Sequence, residues 1–557
     1  MDLQRLLLFV ALSFVLLLLW EAWQEDYGRA PQPVPTTSTE AQPAAPTADV
    51  PSTEVPTVES GEVPEARPSA PQVTDVTPDQ PRIRVVTDVL DVEIDTTGGD
   101  LSAARLLQYP VSGDRPDEPY QLMERSPARV FIAQSGFTAR KNPSQDILWA
   151  APNHTTRYRA EQGEYRLQPG ADTLTVPLYW TSPEGVDFVK RFTFSRGGYL
   201  IEVEHEVVNR TDKPWRGSVY HQFQRSEEAR ESLLLYTYTG GVIYSPADHY
   251  EKVSFDDMQG DPLAREFPNG WAAMIQHYFL GAWVPPTDTP YSYFSRVLRP
   301  DLYALGMYSP EREVAAEASA QFPARLYVGP KIQDSLEQVT PGLELTVDYG
   351  FLTVISKPLF WLLGVIHGLI GNWGWAIIIL TLLIKLAFYK LSETSYKSMA
   401  HMRKVQPRMV QIKERYGDDR QRMNQALMEL YRKEKINPLG GCLPILVQIS
   451  VFIALNWVLQ ESVELRQAEW ILWITDLSTR DPYYILPVLM GVTMLLQQRL
   501  NPAPLDPIQA KVMMVLPIVF TVFFAFFPAG LVLYWVANNT LSIAQQWYIT
   551  RVVMADK

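Results

Sequence analysis

The sequence predicts a multi-domain membrane protein, in which an α-helical polytopic core is joined to a large antiparallel β-sandwich domain outside the membrane. Two observations predict this division. The mean hydropathy of the 557-residue chain is −0.09, close to zero, yet the hydrophobic residues gather at 6–23 and 351–550. Between these regions apolar residues recur at every second position, which is typical of half-buried strands.

Residues 1–23 are predicted to form an N-terminal transmembrane anchor. The apolar run at 6–20 follows Arg5 and is short, as in a signal peptide. The residues after it, Glu21 to Gln24, offer no small-x-small cleavage site. The pattern therefore favours a retained anchor whose N-terminus lies inside.

Residues 24–82 are predicted to be a disordered, Pro-rich linker. Twelve prolines lie between positions 31 and 81, and residues 21–82 contain eleven Asp or Glu against three Arg. Such a composition cannot bury enough apolar surface to offset the entropy lost on ordering. The segment therefore indicates a tether.

Residues 83–347 are predicted to form the β-sandwich. In LIEVEHEVV, residues 200–208, the even-numbered glutamates share one face, and Ile201, Val203, His205 and Val207 share the other. The pairs Gly98-Gly99 and Gly197-Gly198 follow strand-like runs, as in hairpin turns. His205, on an apolar strand face, is expected to be a core residue.

The remaining chain is predicted to be helical. Residues 348–371 contain Lys357, Pro358 and His367 and indicate an interfacial amphipathic helix. Residues 372–550 are expected to form a five-helix core, followed by a short tail at 551–557. Its spans are predicted at 373–391, 443–461, 483–497, 510–527 and 529–549, which makes six with the anchor.

The orientation follows from the charges of the loops. Residues 392–437, predicted to be a helical hairpin, contain eleven Lys or Arg against six Asp or Glu. Short basic loops stay in the cytoplasm, so both termini are expected inside and the large domain outside. The isoelectric point of about 5.2 argues against a DNA partner.

The hairpin has a stripe of methionines at helical spacing. It includes Met399, Met402, Met409 and Met423. Such a stripe is more often a packing seam between helices, but methionine also suits surfaces that accept varied apolar guests. Both interpretations stay open at the level of the sequence.

Lys385 interrupts the span predicted at 373–391. A charge at this depth costs at least about 2.5 to 3.5 kcal/mol on insertion scales. One interpretation is snorkelling of the side chain to the cytoplasmic surface. The other is that Lys385 lines a wet, protein-walled cavity, with Thr381 one turn away on the same helix face.

Other predicted spans carry polar residues that would suit such a cavity. They are Gln448, Ser450, Asn456, Asn538, Asn539, Ser542, Gln545 and Gln546. Amides within spans also serve as hydrogen-bonding groups between helices. None of the five core spans contains a carboxylate in its interior to pair with Lys385, which favours the cavity.

The sequence offers no catalytic constellation. The seven histidines form no HExxH pair, and no P-loop, G-x-S-x-G or cysteine pair occurs. Cys442, the single cysteine, has no nearby base and is expected to be structural. We therefore expect no enzymatic activity, no metal site and no cofactor.

The helical region resembles the YidC/Oxa family of membrane protein insertases. The resemblance rests on GNWGWAIIILTLLIK at 371–385, on the hairpin and its exit at 416–448, and on collinear motifs at 463–494 and 526–547. TDVLDVEIDTTGGDL, residues 87–101, and the long domain are similar to the Gram-negative YidC form.

This resemblance implies a bacterial inner-membrane protein whose periplasmic domain is a β-supersandwich. It also implies a hydrophilic groove with a cation in the first core helix, where Lys385 stands although most members have Arg. Thr381, Tyr534 and Trp535 match positions that contact substrate in the family. The implied function is insertion and folding of nascent inner-membrane proteins in the lipid bilayer, alone or with the Sec translocon (SecYEG, SecDF), with ribosome contacts through cytoplasmic loops.

The residues by themselves leave an alternative, which is a polytopic transporter or channel with a cation-lined cavity. An exchanger would normally carry Asp or Glu near the middle of the membrane, and the five core spans do not. A carbohydrate-binding or enzymatic role for the β domain is a further alternative, for which the sequence supplies no paired acid and base.

Overall fold

The computed structural model of the chain describes residues 82–139, 141–142, 147–228, 237–416, 419–434, 443–501 and 507–553. These residues form two compact units. The β unit contains 82–353 and 457–467, and the helical unit contains 354–456 and 468–553, each with the gaps just given. The predicted anchor, the linker up to residue 81, Cys442 and residues 554–557 of the tail lie outside the described residues.

The β unit is built from two large sheets. The first has the order β16-β19-β20-β13-β5-β4-β3-β2-β1-β9, with β21 also paired to β13. Its strands are β1 (Arg82–Val86), β2 (Leu90–Asp95), β3 (Leu101–Ser112), β4 (Arg115–Arg125), β5 (Val130–Ala139), β9 (Glu164–Arg166), β13 (Trp215–Ser226), β16 (Ala264–Phe267), β19 (Tyr291–Arg299), β20 (Leu302–Tyr308) and β21 (Arg312–Val314). Its pairs are antiparallel except β1 with β9, which is parallel.

The second sheet has the order β15-β14-β17-β18-β22-β12-β11-β10-β8. Its strands are β8 (Arg159–Ala160), β10 (Thr173–Thr181), β11 (Val186–Ser195), β12 (Leu200–Asn209), β14 (Gly240–Ser245), β15 (His249–Val253), β17 (Trp271–Ile275), β18 (Phe279–Val284) and β22 (Ser319–Pro330). A separate small pair joins β6 (Lys141–Asn142) to β7 (Ile147–Leu148).

The two sheets face each other across an aromatic core. Phe137 of the first sheet packs edge-on against Phe322 and His205 of the second, with ring centroids 5.2 and 5.5 Å apart. Trp215 packs against Phe188 in the same way, at 5.6 Å. This interdigitation of inward side chains is the packing expected of a sandwich.

The details predicted from periodicity are confirmed. In β12, Ile201, Val203, His205 and Val207 are buried, and the glutamates between them are more exposed. Both glycine pairs occupy turns between antiparallel neighbours, β2 with β3 and β11 with β12. Gly98, Gly99 and Gly197 have positive φ, which glycine adopts without steric cost.

A short segment beyond the sandwich strands, residues 457–467, also belongs to the β unit. Arg466 donates hydrogen bonds to the carbonyls of Pro110 and Val111 at 2.7 and 3.1 Å. Its guanidinium lies over the rings of Tyr120 and Phe279, 5.6 and 5.5 Å from their centroids. One arginine therefore anchors this segment by hydrogen bonds and cation–π contacts together.

The helices are two short ones in the β unit and a longer set after it. They are α1 (Phe255–Gly260), α2 (Gln333–Val339), α3 (Thr353–Ile370), α4 (Trp373–Ala387), α5 (Tyr389–Tyr416), α6 (Arg420–Lys433), α7 (Leu443–Glu461), α8 (Ile485–Leu500), α9 (Pro507–Phe524) and α10 (Ala529–Tyr548). Single 3₁₀ turns occur at Leu343–Thr346, Gly350–Leu352 and Val463–Leu465, and a π-helical turn, Ile549–Val553, follows α10.

The helices lie close to the predicted spans: α7 has the predicted bounds, α10 is one residue shorter, and the ends of α8 and α9 are displaced by two or three residues. The predicted 373–391 span is wrong at its end, because α4 stops at Ala387 and α5 begins at Tyr389 after a bend of 69°. The N–H of Phe388 bonds to the carbonyls of Ile384 and Leu386, which closes α4 there. The hairpin therefore begins three residues before the predicted position 392.

Several helices of the helical unit carry exposed apolar side chains. On α8 and α9 these include Val488, Val492, Leu496, Val515, Ile518, Val519 and Val522. Among the described helices, Gly350–Ile370 alone is long and apolar enough to cross a membrane by itself, and the bent pair of α4 and α5 passes the same test. The length and composition of the described helices do not test the count of six spans, which stays a prediction.

The buried histidines of the β unit predict how its stability depends on pH. Burial lowers the pKa of His221 to about 3, and burial also lowers the pKa of His205 well below its usual value. The folded state therefore keeps both rings neutral where the unfolded chain, with a histidine pKa of about 6.5, takes up protons. Stability is present above about pH 6.5 and is lost as the pH falls.

We expect wild type to lose roughly 2 kcal/mol relative to His221→Phe between pH 8 and pH 5. Urea unfolding of the full chain in detergent, followed by tryptophan fluorescence, measures this difference. Burial raises the pKa of Glu464 to about 7, so this carboxyl changes stability with pH in the opposite sense. Its contribution is the same in both variants and cancels when they are compared. His249→Gln, at the exposed start of β15, is the control and should keep the wild-type dependence. Equal slopes for wild type and His221→Phe would contradict the prediction.

Candidate functional site

The candidate site begins with the helix that carries Lys385. Asn372 caps α4, since its side chain accepts a hydrogen bond from the N–H of Trp375 at 3.1 Å. The same side chain donates to the carbonyls of Glu469 and Trp470 at 3.2 and 3.1 Å. Gly374 lies directly against the Trp470 ring. The start of α4 is thus fixed by the loop that contains these two residues.

Lys385 has neutral hydrogen-bond partners on two other helices. Its Nζ donates to Ser542 Oγ of α10 at 2.7 Å and makes a marginal contact with Gln448 Oε1 of α7 at 3.5 Å. Ser542 Oγ in turn donates to the carbonyl of Asn538 at 2.7 Å. Among the described residues, no carboxylate lies within ion-pair distance of Lys385. An ammonium has three donors, so part of its capacity remains available.

A pocket of about 410 Å³, counted with its open mouth, surrounds this ammonium. We call it the Lys385 pocket. It is lined by Thr381, Ile384, Lys385, Phe388, Leu391, Ser392, Gln448, Val451, Tyr534 and Asn538. Its wall therefore mixes hydroxyl, amide and ammonium groups with apolar side chains from α4, α5, α7 and α10.

The bend between α4 and α5 shapes the pocket. Because the chain turns by 69° after Ala387, Leu391 and Ser392 line the same pocket as Thr381 and Lys385. Sequence reasoning placed residues 388–391 in the same straight span as Lys385 and did not include Leu391 or Ser392. Phe388 carries no signal of a break, since neither proline nor glycine is near it.

Of the predicted groove residues, Thr381, Lys385, Gln448, Tyr534 and Asn538 lie together in the pocket. The other predicted residues do not line it. They are Ser450, Asn456, Trp535, Asn539, Ser542, Gln545 and Gln546, of which Ser542 contacts Lys385 directly. Three of them stand next to a lining residue, and neighbouring positions on a helix face different directions.

Two of these other residues have clear packing roles. Trp535 lies in an aromatic cluster, 4.5 Å from the Phe452 ring and 5.0 Å from the Phe524 ring, measured between centroids. Asn539 donates to Thr493 Oγ1 of α8 at 3.2 Å. This amide forms a hydrogen bond between two helices. Such a bond was the alternative to lining a cavity for every amide in the predicted spans.

The methionine stripe of the hairpin divides in a similar way. Met402 and Met409 of α5 pack with Val405 against Leu427, Leu430 and Tyr431 of α6. This is a seam between the two arms. Met399 instead lines a second pocket, and Met423 is half-buried on α6. For Met402 and Met409, the structure supports packing rather than a surface for guests.

Comparison with known proteins identifies the family. Residues 82–362 match the model of the YidC periplasmic domain, and residues 365–557 match that of the 60Kd inner membrane protein. The chain is 56% identical over 562 residues to the membrane protein insertase YidC of Thioalkalivibrio sulfidiphilus, covering 99% of this chain and 98% of the relative. The chain belongs to the YidC family of membrane protein insertases.

A second relative, the membrane protein insertase YidC of Methylococcus capsulatus, is 52% identical over 564 residues. The match covers 99% of this chain and 99% of the relative. Among solved structures, the active YidC insertase with its first transmembrane domain resolved has 18% identity and a TM-score of 0.39. That match covers 84% of this chain and 93% of the other.

Membership of the YidC family confirms the predicted insertase function and the Gram-negative YidC form. The β unit contains the large periplasmic domain of this form, and the helical region after it is the membrane part of an inner-membrane protein. Its substrates are nascent membrane proteins, and it works in the lipid bilayer.

The packing at the start of α4 predicts a stability effect. A Cβ at Gly374 would overlap Cδ1 and Cγ of Trp470, so Gly374→Ala must displace the indole ring. We expect a loss of about 1 to 3 kcal/mol, the usual cost of overpacking, measured as a lower melting temperature in detergent. Gly364→Ala is the control, because nothing lies within 4 Å of its Cβ position. Equal melting temperatures for the two variants would contradict the packing argument.

Proposed function

We propose that the chain inserts and helps to fold inner-membrane proteins by using the Lys385 pocket as a hydrophilic groove. The observation that carries the proposal is the ammonium of Lys385, which has one short bond to a neutral hydroxyl and no carboxylate within ion-pair distance among the described residues. Such a cation attracts acidic and polar groups. The hydrophilic, often acidic outer segment of a client supplies them.

The remaining lining residues would serve the same segment. Thr381 lines the pocket, and its Oγ1 donates to the carbonyl of Ile377 at 2.7 Å, so its hydroxyl proton is already used and the oxygen is left as an acceptor. The amides of Gln448 and Asn538 offer both donors and acceptors. Together these groups can replace the water that a polar segment loses on entering the pocket, for many different client sequences.

The driving force in this proposal is transfer of the client's apolar segment to lipid. Burial of apolar surface contributes about 25 cal/mol per Å², so a whole span supplies enough free energy without nucleotide hydrolysis. The exposed apolar side chains of α8 and α9 suit the path of such a segment. The groove then has only to lower the cost of moving the polar part.

We further propose the topology on which this mechanism depends. The chain would cross the membrane six times, through the anchor at 1–23 and helices α4, α7, α8, α9 and α10, with both termini in the cytoplasm. Helix α3 would lie at the interface, although its length and composition also suit a span. The basic hairpin at 392–437 supports this orientation, because short basic loops remain cytoplasmic.

The proposed partners are the Sec translocon, SecYEG and SecDF, and the ribosome. The ribosome would meet the cytoplasmic hairpin, where exposed cations such as Arg403, Lys404 and Arg415 are available for a polyanion. Insertion alone and insertion with the translocon would use the same Lys385 pocket.

Substitution of Lys385 tests the proposed mechanism. Purified protein in liposomes is given a small single-span client with an acidic outer segment, and insertion is measured by protease protection. We expect Lys385→Ala to reduce insertion about tenfold, because a charge-assisted contact of roughly 1.5 kcal/mol is lost, and Lys385→Arg to retain it. Lys390→Gln is the control, since Lys390 is exposed and pairs with Glu393.

Equal insertion by all of these variants would remove the charge of Lys385 from the mechanism. If wild-type protein gave no insertion above empty liposomes but passed ions, a channel would replace the groove. A client whose acidic residues are changed to the corresponding amides should lose most of the difference between wild type and Lys385→Ala.

A further inference from the structure

A second pocket in the helical unit lies at the end of α10. It is lined by Tyr396, Met399, Ala400, Arg403, Lys404, Leu500, Gln546 and Thr550, and its volume is about 790 Å³ with its open mouth. Four elements meet there, namely the first arm of the hairpin, the last residue of α8, α10 through Gln546, and the π-helical turn that follows α10. Local π-helical turns are frequent at functional sites.

The two charged side chains that line this pocket, Arg403 and Lys404, are both cations. Arg403 and Lys404 are exposed, and within the described parts of the chain no carboxylate lies within ion-pair distance of either one. Other cations of the same helix are paired: Lys397 with Glu393 at 2.5 Å and Arg408 with Glu434 at 2.5 Å. The pocket is therefore suited to an anion.

Gln546 adds a neutral acceptor. The residue is only 4% exposed, and its Nε2 donates to the carbonyl of Leu500 and to Asn501 Oδ1 at 3.3 and 3.2 Å. Its Oε1 is buried without a hydrogen-bond partner among the described residues. Such an acceptor costs free energy unless a donor reaches it. An occupant of this pocket should thus carry a donor as well as a negative charge.

The surroundings indicate that the occupant is a lipid. Trp547 and Tyr548, next to Gln546, are 49% and 47% exposed, and such aromatic residues are typical of the membrane–water boundary. Exposed Leu495 and Leu496 continue the surface along α8 from Leu500. A charged headgroup in the pocket could therefore place its acyl chains along an apolar helix face.

We propose that this pocket binds the headgroup of an anionic phospholipid whose phosphodiester carries a hydroxyl donor, as in phosphatidylglycerol. Arg403 and Lys404 hold the phosphate, and the headgroup hydroxyl donates to Gln546 Oε1. Met399, Ala400 and Leu500 contact the glycerol backbone and the first methylenes of the chains. The site is separate from the Lys385 pocket and does not depend on the proposed groove mechanism.

Short-chain lipids test the proposal on the full chain in detergent. The probes are dioctanoyl phosphatidylglycerol, dioctanoyl phosphatidylmethanol and dioctanoyl phosphatidylcholine, and the readout is the rise in melting temperature with lipid concentration. Phosphatidylmethanol has the same charge as phosphatidylglycerol but no hydroxyl. We expect phosphatidylglycerol to bind most tightly, phosphatidylmethanol less tightly, and phosphatidylcholine least. The difference between the first two lipids reports the contact with Gln546. The difference between phosphatidylmethanol and phosphatidylcholine reports the two cations.

The double variant Arg403→Gln, Lys404→Gln should weaken phosphatidylglycerol binding about 25-fold, since each cation near an anionic headgroup contributes roughly fivefold. Both positions are exposed, so folding should not change. Arg415→Gln, on the same helix outside the pocket, is the matched control and should leave binding unchanged. Gln546→Leu should abolish the preference for phosphatidylglycerol over phosphatidylmethanol.

Three results would overturn the proposal. One is an equal effect of phosphatidylcholine, which would show detergent-like binding. Another is a loss in Arg415→Gln as large as in the double variant, which would show a diffuse attraction of the basic hairpin. The third is displacement of phosphatidylglycerol by equimolar inorganic phosphate or by a short RNA, which would make the pocket a site for a soluble phosphate compound.

Discussion

The helical unit is organised around the ammonium of Lys385, whose contacts are all to neutral groups. Among the described residues, the short bond to Ser542 and the marginal contact with Gln448 replace the carboxylate that a buried cation usually requires. These contacts bring α4, α7 and α10 together around the ammonium. The other end of α4 is held by Asn372 and Gly374. The polar pocket follows from this requirement.

In the periplasmic domain, buried charges are bonded to groups within the fold. Lys190 is fully enclosed and donates to the carbonyls of Gly98 and Ser135 at 3.2 and 3.0 Å, while burial lowers its pKa to about 8. Arg125 pairs with the buried carboxylates of Asp95 and Asp100 at 3.1 and 2.7 Å. These groups are bonded within the fold, although Asp100 Oδ1 and Arg125 Nε have no hydrogen-bond partner among the described residues. The ammonium of Lys385, in contrast, lines an open pocket, as a site that accepts different client segments requires.

Neighbouring polar residues in α10 have two different roles. Asn538 lines the Lys385 pocket, and Asn539 joins α10 to Thr493 of α8. Near the end of the same helix, Gln546 donates to the carbonyl of Leu500 at the end of α8 and also lines the second pocket, and its Oε1 is buried without a hydrogen-bond partner among the described residues. A helix with polar groups on more than one face can thus line a cavity and remain packed in its bundle.

The sequence by itself determined the division into a β-sandwich and a helical region, most helix bounds, and the central place of Lys385. These features follow from local patterns, since alternation, apolar runs and a charge within a span are each visible in one segment. Only the tertiary structure decided which polar residues join Lys385, that α4 ends at Ala387, and that Ser542 supplies the short hydrogen bond. These depend on the rotation of each helix about its axis and on contacts between residues more than 60 positions apart, which no local pattern encodes.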